Sequence, residues 1–339
     1  MTRKPDFENL LAVLHREVPA RPTLFEFFLN DRLYARLAGR ATAAWGTADW
    51  ARVGMAAYEH AGYDYATLLA TNFAFPVKPH AQAASRSMND TALIADRASF
   101  DAYPWPDPDR ADYSRLDPLG RECPRGMKLV VYGPGGVLEN VMAIVGYENL
   151  CFILADDPEL ARDVFNAVGA RILRYYEHCV GHPAVGAVIS NDDWGFASQP
   201  MLSPDDMRQY VVPWHRKIVA CIHAAGKPAI LHCCGNIYSI MDEIIDTIGY
   251  DAKHSYEDKI MPVEDAYEKY HQRIAILGGL DLDFVCRSTP EKIHERARAM
   301  LERSATRGGY ALGTGNSVPG YVPDANYFAL ISAATGLTY

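Results

Sequence analysis

The chain has 339 residues, 49% hydrophobic and 22% charged, an ordinary globular composition that excludes a disordered or fibrous protein. Its formal net charge of −9, with no basic cluster, argues against nucleic acid or an acidic membrane face as a partner. No apolar run is long enough to span a bilayer, and Met1-Thr2-Arg3-Lys4-Pro5-Asp6 leads into an amphipathic segment and not a signal sequence, so a cytoplasmic protein is expected.

In chain order, Asp6 to Glu17 reads as a helix, with Phe7, Leu10, Leu11 and Leu14 on one face and Asp6 as its cap. Short β-type runs then alternate with helical stretches. The strand candidates are 22–27, 64–69, 128–132, 184–191, 228–232, 250–253, 273–277 and 309–313. Most are near-continuously apolar, as strands buried on both faces are; 250–253 is the most polar. The helices between them include Thr47–His60, Asp157–Cys179, Ser203–Ala225 and Pro323–Ala334, and Thr289-Pro290-Glu291 opens another that closes near Gly308. Pro213 should kink the helix that contains it. Alternation of this kind predicts an α/β fold, a (β/α)8 TIM barrel with right-handed crossovers, as one domain over residues 1–339. Residues 80–127, with Tyr103-Pro104-Trp105-Pro106-Asp107-Pro108, resist the pattern and read as a long excursion after the second strand, either a flap over the substrate or a surface insertion.

In such a barrel, catalytic residues lie at the C-terminal strand ends. The fifth candidate strand ends Ile230-Leu231-His232-Cys233-Cys234-Gly235. Residues two apart in an extended chain face the same way, so His232 and Cys234 share a side and offer an imidazole nitrogen and a sulfur, half of a zinc site or part of a metal-free polar pocket. The other cysteines show no disulfide framework and read mostly as core; Cys286 in particular opens a helix. A catalytic zinc needs a third protein ligand, for which Glu26, an acid in the apolar run Leu24-Phe25-Glu26-Phe27-Phe28, is a candidate.

The fourth strand ends Asn191-Asp192-Asp193-Trp194-Gly195, where one carboxylate can serve as general base or ligand and the other as a helix cap. Glu139 follows the Gly-rich turn 133–136 as a further catalytic candidate, and Asn72, Trp194, His254, Tyr256 and Asn316 gather at strand ends as substrate-binding candidates. Gly313 and Gly315 allow close backbone approach to a ligand.

These motifs, in this order, resemble the uroporphyrinogen decarboxylase superfamily. The likeness runs over about residues 5–336 and is carried by Asn191-Asp192-Asp193-Trp194-Gly195, Ser203-Pro204, His223-Ala224-Ala225-Gly226-Lys227-Pro228, His232-Cys233-Cys234-Gly235, Gly279-Leu280-Asp281 and Gly313-Thr314-Gly315-Asn316. The resemblance implies a TIM barrel and, by analogy, a homodimer. True decarboxylases of this superfamily carry an Arg-rich loop after the first strand and an essential Asp after the second. Here those places read Phe28-Leu29-Asn30-Asp31-Arg32-Leu33-Tyr34 and Thr71-Asn72, so a substrate with eight carboxylates is not expected. The corrinoid-dependent methyltransferase and O-demethylase branch binds zinc through H-x-C and a distant Cys. His232 and Cys234 match the first two ligands, whereas the third position is Asn316.

The expected function is therefore a zinc-dependent methyltransferase that moves a methyl group between a small, methoxylated substrate and a corrinoid protein. Its metal would sit on His232, Cys234 and Glu26 or another acid, with Asp192 or Asp193 managing the proton. The rival is a metal-independent decarboxylase or lyase of a small carboxylic acid, with Lys253 or Lys78 as its cation. A third reading is a ligand-binding barrel without turnover.

Overall fold

A computed structural model describes residues 3–78, 89 and 92–338. Seven parallel strands form one sheet in sequential order: β1 (Tyr65–Leu69), β2 (Lys128–Tyr132), β3 (Val185–Asn191), β4 (Ala229–His232), β5 (Ala252–His254), β6 (Ala275–Leu277) and β7 (Tyr310–Ala311). Helices alternate with them, and nearly every strand residue is buried, which is why these runs are apolar without alternation. The architecture is (β/α)8-like.

The candidate strand 22–27 differs from expectation. It joins β7 only through the parallel bridge Leu24↔Leu312, with Phe25 N donating to Leu312 O at 2.8 Å. Toward β1, side chains replace the ladder. The Tyr65 hydroxyl lies 2.7 Å from Glu26 N and 2.6 Å from Glu26 O, and Tyr58 and Thr67 donate to Phe27 O at 3.0 Å each. The backbone groups of this segment are thus satisfied without a strand partner.

The helices follow their capping signals. Thr47, Asp157, Ser203 and Thr289 each accept from the first turn of the helix they precede. The expected kink at Pro213 takes the form of a π-turn, Met207–Val211, just before the α-helix Val212–Ala224. One extra residue in that turn accommodates a proline that has no N–H and crowds the carbonyl four residues back.

Residues 79–88, 90 and 91 of the excursion lie outside the described residues. Its remainder contains the short helices Arg97–Ala102 and Leu116–Glu122. It is tied to helix Pro158–Val180 by Arg171 donating to Pro106 O at 2.9 Å and by the Arg174–Asp109 ion pair. Among the described residues no single helix is long and apolar enough to cross a membrane.

Candidate metal centre

Register in the sheet places the site. Asn191 pairs with His232 and His232 with His254, so these three side chains leave the sheet on the same side at the C-terminal ends of β3, β4 and β5. Beyond them, the loops after β3 and β4 touch at two glycines. A Cβ on Gly235, whose φ is +83°, would lie 2.0 Å from Gly195 O, so only glycine permits this approach. The contact brings Asp193 to Cys234, whose N–H donates to Asp193 Oδ1 at 2.8 Å.

The result is a group of three ligand types. One atom each of Asp193, His232 and Cys234 lies within 4.8 Å of the others, and Cys234 Sγ is 3.8 Å from His232 Nε2. Glu26 stands outside this group, as its carboxyl is engaged by Thr314: Oε1 accepts the Thr314 N–H at 2.7 Å and Oε2 lies 2.7 Å from the Thr314 hydroxyl. The third donor beside the His and Cys pair is therefore Asp193.

The network around His232 decides which nitrogen faces the sulfur. His254 Nε2 lies 3.3 Å from Thr314 O, an acceptor, so Nε2 carries the hydrogen. Burial holds His254 down to about 3, so it is neutral and its Nδ1 is bare. His232 Nδ1 lies 2.7 Å from that bare nitrogen and must donate to it. Burial, followed by the electrostatic influence of the His254 ring and the Lys253 amine beside it, pushes His232 well below its usual value. Its Nε2 lone pair is left free, directed toward Cys234, which is the tautomer a metal requires.

Asn316 is placed just as definitely. Its Oδ1 accepts from Ser317 N at 2.7 Å, which fixes the amide so that Nδ2 donates to Cys234 Sγ at 3.1 Å. Without a cation, burial and then the charge of Asp193 push the thiol up to about 12, and burial raises Asp193 as well. Two adjacent acids raised mainly by burial are groups that a dication placed between them would hold in their ionised forms. A nitrogen, an oxygen and a sulfur donor suit zinc, so the residues fit that ion.

Glu26 supports the site from behind. The Thr314 hydroxyl contacts both Glu26 Oε2 and the Asn316 carbonyl but has one hydrogen to give. The carbonyl can only accept, so the hydroxyl donates there and Glu26 must supply the hydrogen on its own side. Burial pushes Glu26 up to about 8, in agreement. A protonated carboxyl thus pins the loop that presents Asn316 to the sulfur.

Asp192 is directed elsewhere. It is fully buried, and its oxygens accept from Leu138 N and Glu139 N at 2.9 Å each, capping helix Val137–Val145 from outside, while His215 Nε2 lies 2.9 Å from Oδ2. Trp194 packs edge-on to His215 at 4.7 Å. Glu139 accepts from Gly136 N through Oε2, and burial, then the charges of Asp192 and Asp193, push it up to about 8. Tyr256 is buried under Lys253, whose amine lies 4.4 Å from the ring centre and donates to Ser255 O at 2.5 Å. Lys78 is exposed and lines a separate cavity with Leu93, Ile94 and Glu148. Asn72 is exposed beyond the end of β1.

An aromatic wall closes one side. Phe27 lies 4.6 Å from His232 and edge-on to Tyr132 at 5.3 Å, and Phe28 is edge-on to the same tyrosine at 4.9 Å. Sequence reasoning missed Tyr132, His215 and Thr314. The first ends β2 and could have been found by its position alone, whereas His215 sits mid-helix without any local signal.

Uroporphyrinogen decarboxylase (URO-D) is the family that matches, over residues 130–337, more than half of the chain. No curated protein sequence matches it. Among solved structures, a methyltransferase from Methanosarcina mazei has a TM-score of 0.72 at 16% identity, covering 99% of this chain and 99% of that one; at that identity the likeness speaks for the fold alone. Xylanase B from Clostridium stercorarium F9 reaches only 0.40 at 11% identity, over 72% of this chain and 88% of that one, and carries no argument. The matched span includes Asp193, His232, Cys234 and Asn316, and the chain belongs to the uroporphyrinogen decarboxylase (URO-D) family.

Proposed function

We propose that this protein is a zinc-dependent methyltransferase, which transfers a methyl group from a small methoxylated substrate to the corrinoid of a partner protein. The observation that carries the reading is the convergence of Asp193, His232 and Cys234 within 4.8 Å at the C-terminal strand ends. Bound there, zinc would polarise the ether oxygen as a Lewis acid and improve the leaving group. His232 offers Nε2, and His254 holds it in that tautomer. Cys234 would hold the ion as a thiolate, its proton passing to solvent, and Asn316 would steady that sulfur by its N–H.

The methyl–oxygen bond breaks and the oxygen left on the substrate needs a proton. Glu139 is the source in this reading: burial, then the charges of Asp192 and Asp193, favour its protonated form, while Oε2 accepts from Gly136 N. The absence of an Arg-rich loop at Phe28–Tyr34 supports this choice of reaction over decarboxylation of a substrate with many carboxylates. Lys253, the cation of the lyase alternative, has its amine donating to the Ser255 carbonyl oxygen, with no carboxylate of a substrate needed to satisfy it.

Metal analysis of protein purified without chelator is the test. About one zinc per chain is expected, lost in Cys234→Ser and His232→Ala and weakened in Asp193→Asn. Well-folded protein that carries no stoichiometric zinc, neither binds added zinc nor changes its methyl transfer on addition, refutes the reading.

A further inference from the structure

The segment 22–27 leads directly into a cleft of about 530 Å³, lined by Phe28, Trp45 and Trp50 together with Asp31 and Arg32. The two indole rings meet at 59° with their centres 6.2 Å apart, so they form a corner. Trp50 is buried and Trp45 is 63% exposed, so one ring of the corner is fixed in the core and the other faces solvent. Phe28 is half-buried and stacks on Phe27 at 3.9 Å, and Phe27 lies 4.6 Å from His232. The cleft therefore adjoins the aromatic wall of the candidate metal centre.

Its lining carries one charge without a counterpart. Asp31 is exposed, and among the described residues its carboxylate forms no ion pair and accepts no hydrogen bond. It does not cap helix Asp31–Ala38, because Asn30 Oδ1 does so by accepting from Leu33 N at 3.0 Å. The helix dipole favours an acid in that first turn but leaves both carboxylate oxygens free for a ligand. Arg32 also lines the cleft, yet its guanidinium is committed to Asp324 Oδ1 at 2.8 Å, Gly320 O at 3.2 Å and Val322 O at 2.9 Å. Arg36 takes the other oxygen of Asp324 at 3.0 Å.

This combination selects a class of ligand. The negative faces of aromatic rings attract a cation, and a carboxylate beside them adds a full charge. A ligand carboxylate or phosphate would instead meet Asp31 as a like charge. A primary ammonium has three N–H donors and would find one acceptor group, Asp31, among these side chains. A fully methylated nitrogen has no donor to satisfy, and its methyl groups pack on the indole and phenyl faces.

We propose that the cleft formed by Phe28, Trp45, Trp50 and Asp31 is a binding site for a small methylated ammonium ion. The site needs no metal, so it stands or falls apart from the methyltransferase reading.

Choline and 3,3-dimethyl-1-butanol have the same shape and differ in charge, and their binding is measured by calorimetry on metal-free and zinc-loaded protein. Choline should bind roughly tenfold or more tightly than the alcohol in both forms, and less tightly as salt is added. Trp45→Ala should weaken choline about tenfold and Asp31→Asn about 3- to 10-fold, the latter with little effect on the alcohol. Both side chains are exposed, so each variant should keep the parent's unfolding midpoint by circular dichroism. Choline that fails to bind, binds no better than the alcohol, or binds either folded variant as it does the parent overturns the proposal. Zinc uptake without choline binding would remove this site and leave the methyltransferase reading standing; choline binding to protein that takes up no zinc would do the reverse.

Discussion

Replacing Glu26 by Gln tests the proton count that links the barrel wall to the sulfur of Cys234. In the parent, a neutral carboxyl accepts the Thr314 N–H on Oε1 and donates to the Thr314 hydroxyl from Oε2. A Gln amide reproduces both bonds, with one N–H left over, so at pH 5 the variant should lie within about 1–2 kcal/mol of the parent. The two then diverge with pH. Folding raises Glu26 from 4.5 to about 8, so the unfolded state loses this proton first. Its contribution is complete below pH 4.5 and declines as pH rises through 8. At about 1.4 kcal/mol per pH unit the parent should lose on the order of 4–5 kcal/mol over that interval, and Gln none. Urea unfolding at pH 5, 6, 7 and 8 reads the difference directly, because every other titrating group is common to both proteins. Parallel pH profiles, or a Gln variant destabilised by more than about 3 kcal/mol at pH 5, would show that Glu26 is ionised in the fold and that the assignment of hydrogens around Thr314 is wrong.

Two further substitutions probe the supports of the site. His254→Phe removes the acceptor for His232 Nδ1, so zinc affinity, read by competition with a chromophoric chelator, should fall about 10- to 100-fold; unchanged affinity would mean that this bond does not set the tautomer. Gly136→Ala would place a Cβ 2.0 Å from Asp192 Cγ, whose oxygens are tied to helix Val137–Val145 and His215, and should cost about 3 kcal/mol or more in urea unfolding, whereas a loss under 1 kcal/mol would show that this contact yields easily.

Seven of the eight strand candidates were legible in the sequence because burial on both faces leaves a run of apolar residues that needs no partner to be recognised. The segment 22–27 has that same composition, yet its backbone is met by hydroxyls of Tyr58, Tyr65 and Thr67 some 30 to 40 positions away, and no local pattern encodes that. His232 and Cys234 were readable as a pair by spacing alone. Their third companion was not, since an acid in an apolar run drew the reading to Glu26, whose partner Thr314 is 288 positions distant. Register held the missing information. If Asn191 aligns with His232, then the residues two further along each chain, Asp193 and Cys234, are neighbours as well.

The donor set bears on what chemistry the site can favour. A centre with two thiolates and an imidazole would hold its ion electron-rich and soft; here Asn316 occupies the place of the second sulfur and donates a hydrogen bond to the first. That bond withdraws charge from Cys234, and a carboxylate from Asp193 replaces a softer ligand. Both changes leave a bound dication a stronger Lewis acid. A site made to raise the nucleophilicity of a thiol substrate needs the opposite, a ligand field that pushes charge outward. Polarising an oxygen that is about to lose a methyl group calls for the harder, more electron-poor centre that Asp193 and Asn316 would create around a bound zinc, so within the proposed function the residue that departs from the H-x-C and distant-Cys pattern favours an ether as substrate.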